Sequence, residues 1–271
     1  GACPSQELLD AYEVVNGDMT ESYPLLNLES PYLDANHLQP NLNSAVEGLY
    51  NRAKPYENRD PRLDYTIYYN GATFMGTEYR MSPDYEASKK ERLDYSSEVS
   101  KTGFMWRKYF DENPINDLNS YSAVTPVIRY AEVLLSYLEC LIESGQAIDQ
   151  TVLNLTINQV RGRADVKMPP VTETNSDKLR ELLRNERRVE LAFEGIRYWD
   201  LLRWKLAETV LVGEVWGAPY PKSITYAGST KFVDPTGHCR WYVGRRDFRN
   251  PQDYKWPIPL SEQNINPNLR E

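Results

Sequence analysis

The segment between residues 127 and 208 constrains the fold most, because its apolar residues repeat with helical spacing over a long stretch. Val127, Ala131, Leu134, Leu138 and Leu141 recur at alternating steps of four and three, which lays them along one helix face. Arg129, Glu132, Ser136, Glu139 and Glu143 recur the same way on the other face. Ser144-Gly145 ends this run, and Asp149 has the side chain to cap a second helix. Leu153, Ile157, Val160 and Ala164 give that helix a stripe of its own, until Pro169-Pro170 stops it. Helices over 124–143 and 150–164, joined by a short Gly-containing turn, predict an antiparallel hairpin. One hairpin cannot bury its own stripe, so the pattern fits a tetratricopeptide-type stack. A third helix is expected from Asn175-Ser176 through Leu179, Leu182, Leu183, Val189 and Phe193, with Gly195 as its C-terminal cap. A fourth carries Trp199, Leu202 and Leu206. The expected class is mainly α: helical hairpins in a core of about 124–208, with long irregular loop regions and a few short strands.

The flanks lack this period. Residues 1–17 read as one short amphipathic helix, with Leu8, Leu9 and Tyr12 on one side and Asn16-Gly17 as its stop. Residues 42–49 suggest another helix, and 63–70 read as a strand leading into an Asn70-Gly71 turn. Residues 72–103 and 212–255 read as long loops, the second with short strands, and loops of that length are usually functional.

Composition excludes several functions. A chain of 271 residues with a formal net charge of -8 can bury a sizeable core, but it offers no clustered basic surface for nucleic acid. No run approaches the ~18 apolar residues of a membrane span. The three cysteines form no CxxC pair, and Cys140 is expected to be a small buried hydrophobe within the helical stripe. Gly1-Ala2-Cys3 lacks the apolar stretch that would precede a lipoprotein cysteine. His37 and His238 are the only histidines, which removes the usual metal sites and His-dependent catalysis. No phosphate-cradling glycine loop occurs, so no metal or cofactor is expected.

Carboxylates are the remaining catalytic candidates. Glu186, Glu190 and Glu194 stand at i, i+4 and i+8 on one helix face, as glycoside hydrolysis might recruit two acids. Arg184, Arg187, Arg188 and Arg197 lie within reach of that face, and nearby arginines keep carboxylates ionised. Glu186, Arg187, Glu190, Glu194 and Arg197 are therefore expected to form a structural ion network, with no catalytic residue.

Five groups of residues carry a family resemblance. Arg129-Tyr130-Ala131-Glu132-Val133-Leu134-Leu135 is followed by Asn158-Gln159-Val160-Arg161-Gly162-Arg163-Ala164. Then comes Asn185-Glu186-Arg187-Arg188-Val189-Glu190-Leu191-Ala192-Phe193-Glu194-Gly195-Ile196-Arg197-Tyr198-Trp199-Asp200. Arg59-Asp60-Pro61-Arg62-Leu63 and the terminal Trp256-Pro257-Ile258-Pro259 complete the set. The chain resembles the SusD/RagB family, the surface glycan-binding lipoproteins of Bacteroidetes, along nearly its whole length. The match is to the family's C-terminal half; its N-terminal half has no counterpart here, so an exposed apolar patch on the helical core, or association with another copy, is expected. The resemblance implies non-catalytic binding of an oligosaccharide and delivery to a SusC-like TonB-dependent transporter. It also implies an outer-membrane location, facing outward, through a lipid anchor outside this chain. The rival readings are a tetratricopeptide-like scaffold for a protein or peptide and a glycoside hydrolase.

The chain holds 20 tyrosines and 6 tryptophans, whose flat faces suit sugar rings when polar groups rim them. With the family in view, the binding site is expected in segments 63–110 and 212–245, within the loop-rich regions 18–123 and 209–271. Trp216, Tyr220, Trp241 and Tyr85 are the expected platform residues. Trp106 is expected to be buried in a strand, and Tyr198, Trp199 and Trp204 to pack in the helical core.

Overall fold

The protein was analysed as a computed structural model, which describes residues 3–34, 37, 39–74, 76–79, 100, 102–110, 112, 126–220, 231–233, 239–255 and 258–269. The helical core forms as the apolar spacing requires, with shifted boundaries. Helix α3 runs over Tyr130–Glu143, after a short α1 at Gln6–Asp10 and α2 at Arg62–Thr66. Val127 therefore lies outside the helix and is 91% exposed, while Ala131, Leu134, Leu135, Leu138 and Ile142 form the buried stripe. Cys140 sits off that stripe and is exposed, which corrects its expected burial. Two residues from Leu138 is about 200° around a helix, so only the three-four positions stay inside.

The second arm of the hairpin is broken. Asp149 accepts from the Val152 amide and caps α4, Gln150–Leu155, as expected. Thr156 then leaves helical geometry and its hydroxyl donates back to the Val152 carbonyl, so the chain restarts as α5, Ile157–Arg161. Leu153, Ile157 and Val160 still meet the α3 stripe, joined by Leu179 and Leu183 of α6, Ser176–Glu190. Asn175 caps α6 through the amides of Asp177 and Lys178. The helix ends before Phe193, and Gly195, at φ +79°, makes the left-handed corner that starts α7, Ile196–Arg203. A last short helix of this core, α8, spans Ala207–Val210, and α9 follows near the end at Leu260–Ile265.

The flanks fold around a second core. Leu9, Tyr12, Leu63, Ile67, Phe104, Val189 and Ala218 pack together, so α6 contributes to both cores from different faces. Residues 63–70 depart from expectation. Asp60 accepts from the Arg62 amide and starts α2, leaving only Ile67–Tyr68 as strand β3. Strands β1 (Val14–Val15) and β2 (Ser22–Tyr23) pair around the Asn16-Gly17 turn; β4 (Thr73–Phe74) pairs with β5 (Thr77–Glu78), and β3 with β6 (Met105–Trp106). Residues 42–49 hold one 3-10 turn, Ser44–Val46, in place of a helix.

Segment 212–255 is more regular than its sequence suggests. Strand β7 (Gly213–Tyr220) and β9 (Cys239–Arg246) pair antiparallel with β8 (Lys231–Val233) on the far side, in the order β7-β9-β8. A β-carbon at Gly217 would lie 2.5 Å from the Thr102 carbonyl oxygen, which accepts from the Ala218 amide. Glycine thus lets this strand press onto the loop core.

The α3 side remains uncovered. Val127, Ile128, Tyr130, Val133 and Tyr137 are exposed, and so are Tyr198 and Trp199 of α7, with Trp199 55% exposed. Two of these exposed rings, Tyr198 and Trp199, depart from their expected place in the core. Their helix turns Asp200 and Leu201 inward, which points the preceding aromatics out.

Candidate functional site

Glu186 and Glu190 of α6, with Glu194 just beyond it, meet cations from several other segments. Glu186 accepts from Arg62 Nη1 at 2.5 Å and Arg161 Nη1 at 2.9 Å. Glu190 accepts from Arg62, Arg129 and Arg163 at 3.0, 2.7 and 2.5 Å. Glu194 accepts from Lys108 at 2.5 Å and Arg129 at 2.8 Å. Arg161 also reaches Glu13 and Arg62 reaches Asp60, so the cluster ties residues 13, 60–62, 108, 129 and 161–163 to one helix. Glu186 and Glu190 are buried. Burial alone would raise the pKa of Glu190, but Arg62, Arg163 and Arg129 outweigh it and hold it at about 2.

The network exists, with different partners from those expected. Arg187 pairs with Asp200, donating two bonds at 2.9 and 3.0 Å, and does not bond the α6 glutamates. It stands one residue from Glu186, about 100° around the helix, and faces α7. Arg197 is outside the network, with its guanidinium 6.0 Å above the Trp204 ring. The residues that close the network, Arg62, Arg129, Arg161 and Arg163, all occur in the motifs quoted above, where their charge beside apolar stripes was the available signal. Glu190, held at about 2, carries no proton near neutral pH, whereas a general acid must.

The aromatic candidates divide. Trp216 lies on β7 and is only 5% exposed. Tyr220 and Trp241 lie on β7 and β9 of the same sheet. Tyr85 lies outside the described residues. Trp106 reverses its expectation: β6 is an edge strand paired only with β3, and the indole is 43% exposed. One face of that indole stacks on Phe193 at 5.5 Å. Tyr65, next to β3, is also exposed.

A cavity of about 780 Å³ opens between residues 7–37 and helices α6 and α7. Its α6 wall is Arg180, Arg184 and Arg188, spaced four apart, and α7 adds Arg197. Tyr32 and His37 stack at 4.5 Å on the opposite wall, and His37 Nδ1 lies 2.9 Å from Glu7 Oε1. Glu7 also accepts from Arg246. Burial raises its pKa, but the His37 bond and Arg246 bring it below the ordinary carboxylate value. Arg188 and Arg197 lie in the 185–200 motif, but nothing in the sequence sets them beside residues 7–37, because the cavity's two walls come from segments far apart in the chain.

Comparison with known proteins gives these features a family. The sequence model of the SusD family matches residues 1–271. A crystal structure described as a SusD-like carbohydrate-binding protein from Bacteroides fragilis NCTC 9343 is 59% identical, with a TM-score of 0.80 over 98% of this chain and 48% of that one. A second SusD-like structure from the same organism is 23% identical, with a TM-score of 0.66 over 97% of this chain and 45% of that one, and shows the same fold. SusD-like protein P38 of Formosa agariphila is 35% identical over 31% of this chain and 18% of its own length. The chain spans about half the length of the two solved relatives. It belongs to the SusD family.

Proposed function

We propose that this SusD-family chain binds an oligosaccharide without transforming it and belongs to an outer-membrane uptake system. In that system it presents glycan to a SusC-like TonB-dependent transporter, with the membrane reached through a lipid anchor outside this chain. The observation that carries the reading is the 59% identity, across almost the whole chain, to a protein described as carbohydrate binding. The paired carboxylates support a non-catalytic role, since the cations around Glu190 and Glu194 lower their pKa and so oppose general-acid chemistry.

Trp106 is the platform we favour within segment 63–110. Its inner face is backed by Phe193, which fixes the ring while the outer face stays open to a sugar's C–H bonds. Trp216 would need its surroundings to move before a sugar touched it. Screening the chain on a glycan array, then titrating Trp106→Ala and Trp216→Ala with the best ligand, tests this. Trp106→Ala is expected to weaken binding by roughly 0.5–1.5 kcal/mol, the scale of one specific aromatic contact, with the fold intact. Loss on Trp216→Ala alone would move the platform to the β7-β9-β8 sheet. Binding of no glycan by the folded chain would overturn the reading.

A further inference from the structure

We propose that the cavity between α6, α7 and residues 7–37 is a subsite for the oxyanion of an acidic glycan, a uronate carboxylate or a sulfate ester, held by Arg188 and Arg197. The inference rests on the glycan reading and adds the ligand's charge class.

Many of the described cations are matched with carboxylates. Arg62, Arg129, Arg161, Arg163, Arg187 and Arg203 each donate to at least one carboxylate. The same holds for two neighbours in the cavity wall, Arg180 with Glu143 and Asp177, and Arg184 with Glu181. Among the described residues, Arg188 and Arg197 alone in that wall make no hydrogen bond or ion pair. Both guanidiniums are half-buried, so water compensates them only in part.

They also oppose each other. Burial lowers the pKa of Arg197, Arg188 is the next cause, and together they bring it to about 9. Two arginines set against one another without a carboxylate between them are a cost to folding, and a bound oxyanion relieves it. Asp200 and Glu7 both act on Arg197, and Glu7 also feels the charge of Arg188, but Asp200 already accepts from Arg187 and Arg203, and Glu7 from His37 and Arg246. Asp177 and Glu181 are likewise engaged by Arg180 and Arg184.

The rest of the cavity suits a sugar attached to that anion. A volume of about 780 Å³ lies within the range of small-molecule sites and exceeds what a bare inorganic ion requires. The Tyr32–His37 stack supplies an aromatic wall across from the arginines. A planar guanidinium donates to two oxygens of a carboxylate or sulfate at once, which favours arginine over lysine here.

The test is calorimetric titration of the 271-residue chain with three matched probes. These are an oligogalacturonate, its carboxyl-reduced neutral form, and a sulfated galactan oligosaccharide of the same length. At least one acidic probe is expected to bind tenfold or more tightly than the neutral one, and that preference is expected to shrink as salt rises. Arg188→Gln and Arg197→Gln should each remove most of the preference and leave neutral binding within twofold, while Arg188→Lys should restore part of it. Which acidic probe leads identifies the anion. Equal affinity for all three overturns the inference and leaves the glycan reading standing. Binding of none of them, in a chain whose thermal melt shows it folded, overturns the inference, and a blank glycan array would then remove the broader reading as well. The three probes use the unmodified protein, so a variant that fails to fold does not decide the outcome.

Discussion

Helix α6 carries charge on two opposite faces, and the protein treats them in opposite ways. Glu186 and Glu190 point into the molecule and are surrounded by four arginines from three other segments. Arg184 and Arg188 stand two residues away, about 200° around the helix, and line an open cavity in which Arg188 has no bonded partner. The first face joins the two hydrophobic cores, because Leu179 and Leu183 lie in one and Val189 in the other. The second face makes looser ties: Arg180 reaches Glu143 of α3 and Arg184 lies 5.2 Å above the Trp204 ring, while Arg188 bonds no carboxylate among the described residues. A charge whose partners are all supplied by the fold is structural, while a charge left without one is available to a ligand.

Stability measurements offer the largest test of this contrast. Glu190→Ala leaves Arg62, Arg129 and Arg163 without a shared acceptor, and breaking a buried pair in this way costs roughly 3–5 kcal/mol. Arg188→Gln, on the same helix, should shift stability by no more than about 0.5 kcal/mol, as for a substitution outside any network. Urea denaturation of both variants decides between them; equal losses would break the comparison.

Acid should act on the inner face first. The folded pKa of Glu190 is depressed, so its contribution is fully present above its ordinary value of 4.5 and lost as pH falls toward about 2. Denaturation midpoints measured across that window should fall in the unmodified protein and change less in Glu190→Ala. A smaller effect is expected from the end of the helix that serves both faces. Asn175→Ala removes the cap of α6 and should cost about 1 kcal/mol, with no selective loss of either the network or the cavity. A loss confined to acidic-glycan binding would show that the cavity depends on the cap more than the cores do.

Much of the helical core was legible because burial and helical spacing agree. Leu134, Leu138, Leu153, Ile157, Val160, Leu179 and Leu183 are buried as their period requires. Asp149 and Asn175 cap the helices whose sequences announced them. The ion network was legible in membership for the three glutamates and in error for Arg187 and Arg197. Spacing along one helix reveals which local pairs are possible, and here longer-range partners with better geometry displaced them. The platform order also changed: Trp106 lies open on an edge strand and Trp216 lies under the loop packing, although both read as aromatics in irregular segments.

The sequence by itself determined that this chain builds a mainly helical core and belongs among SusD-like proteins. Those properties lie in local period and in contiguous motifs, which a linear reading can see. Only the tertiary structure decided which arginines the α6 glutamates hold, which indole faces solvent, and that Arg188 and Arg197 share a cavity with Tyr32 and His37. Each of these depends on contacts between segments far apart in the chain, and no local preference encodes which distant residue will arrive.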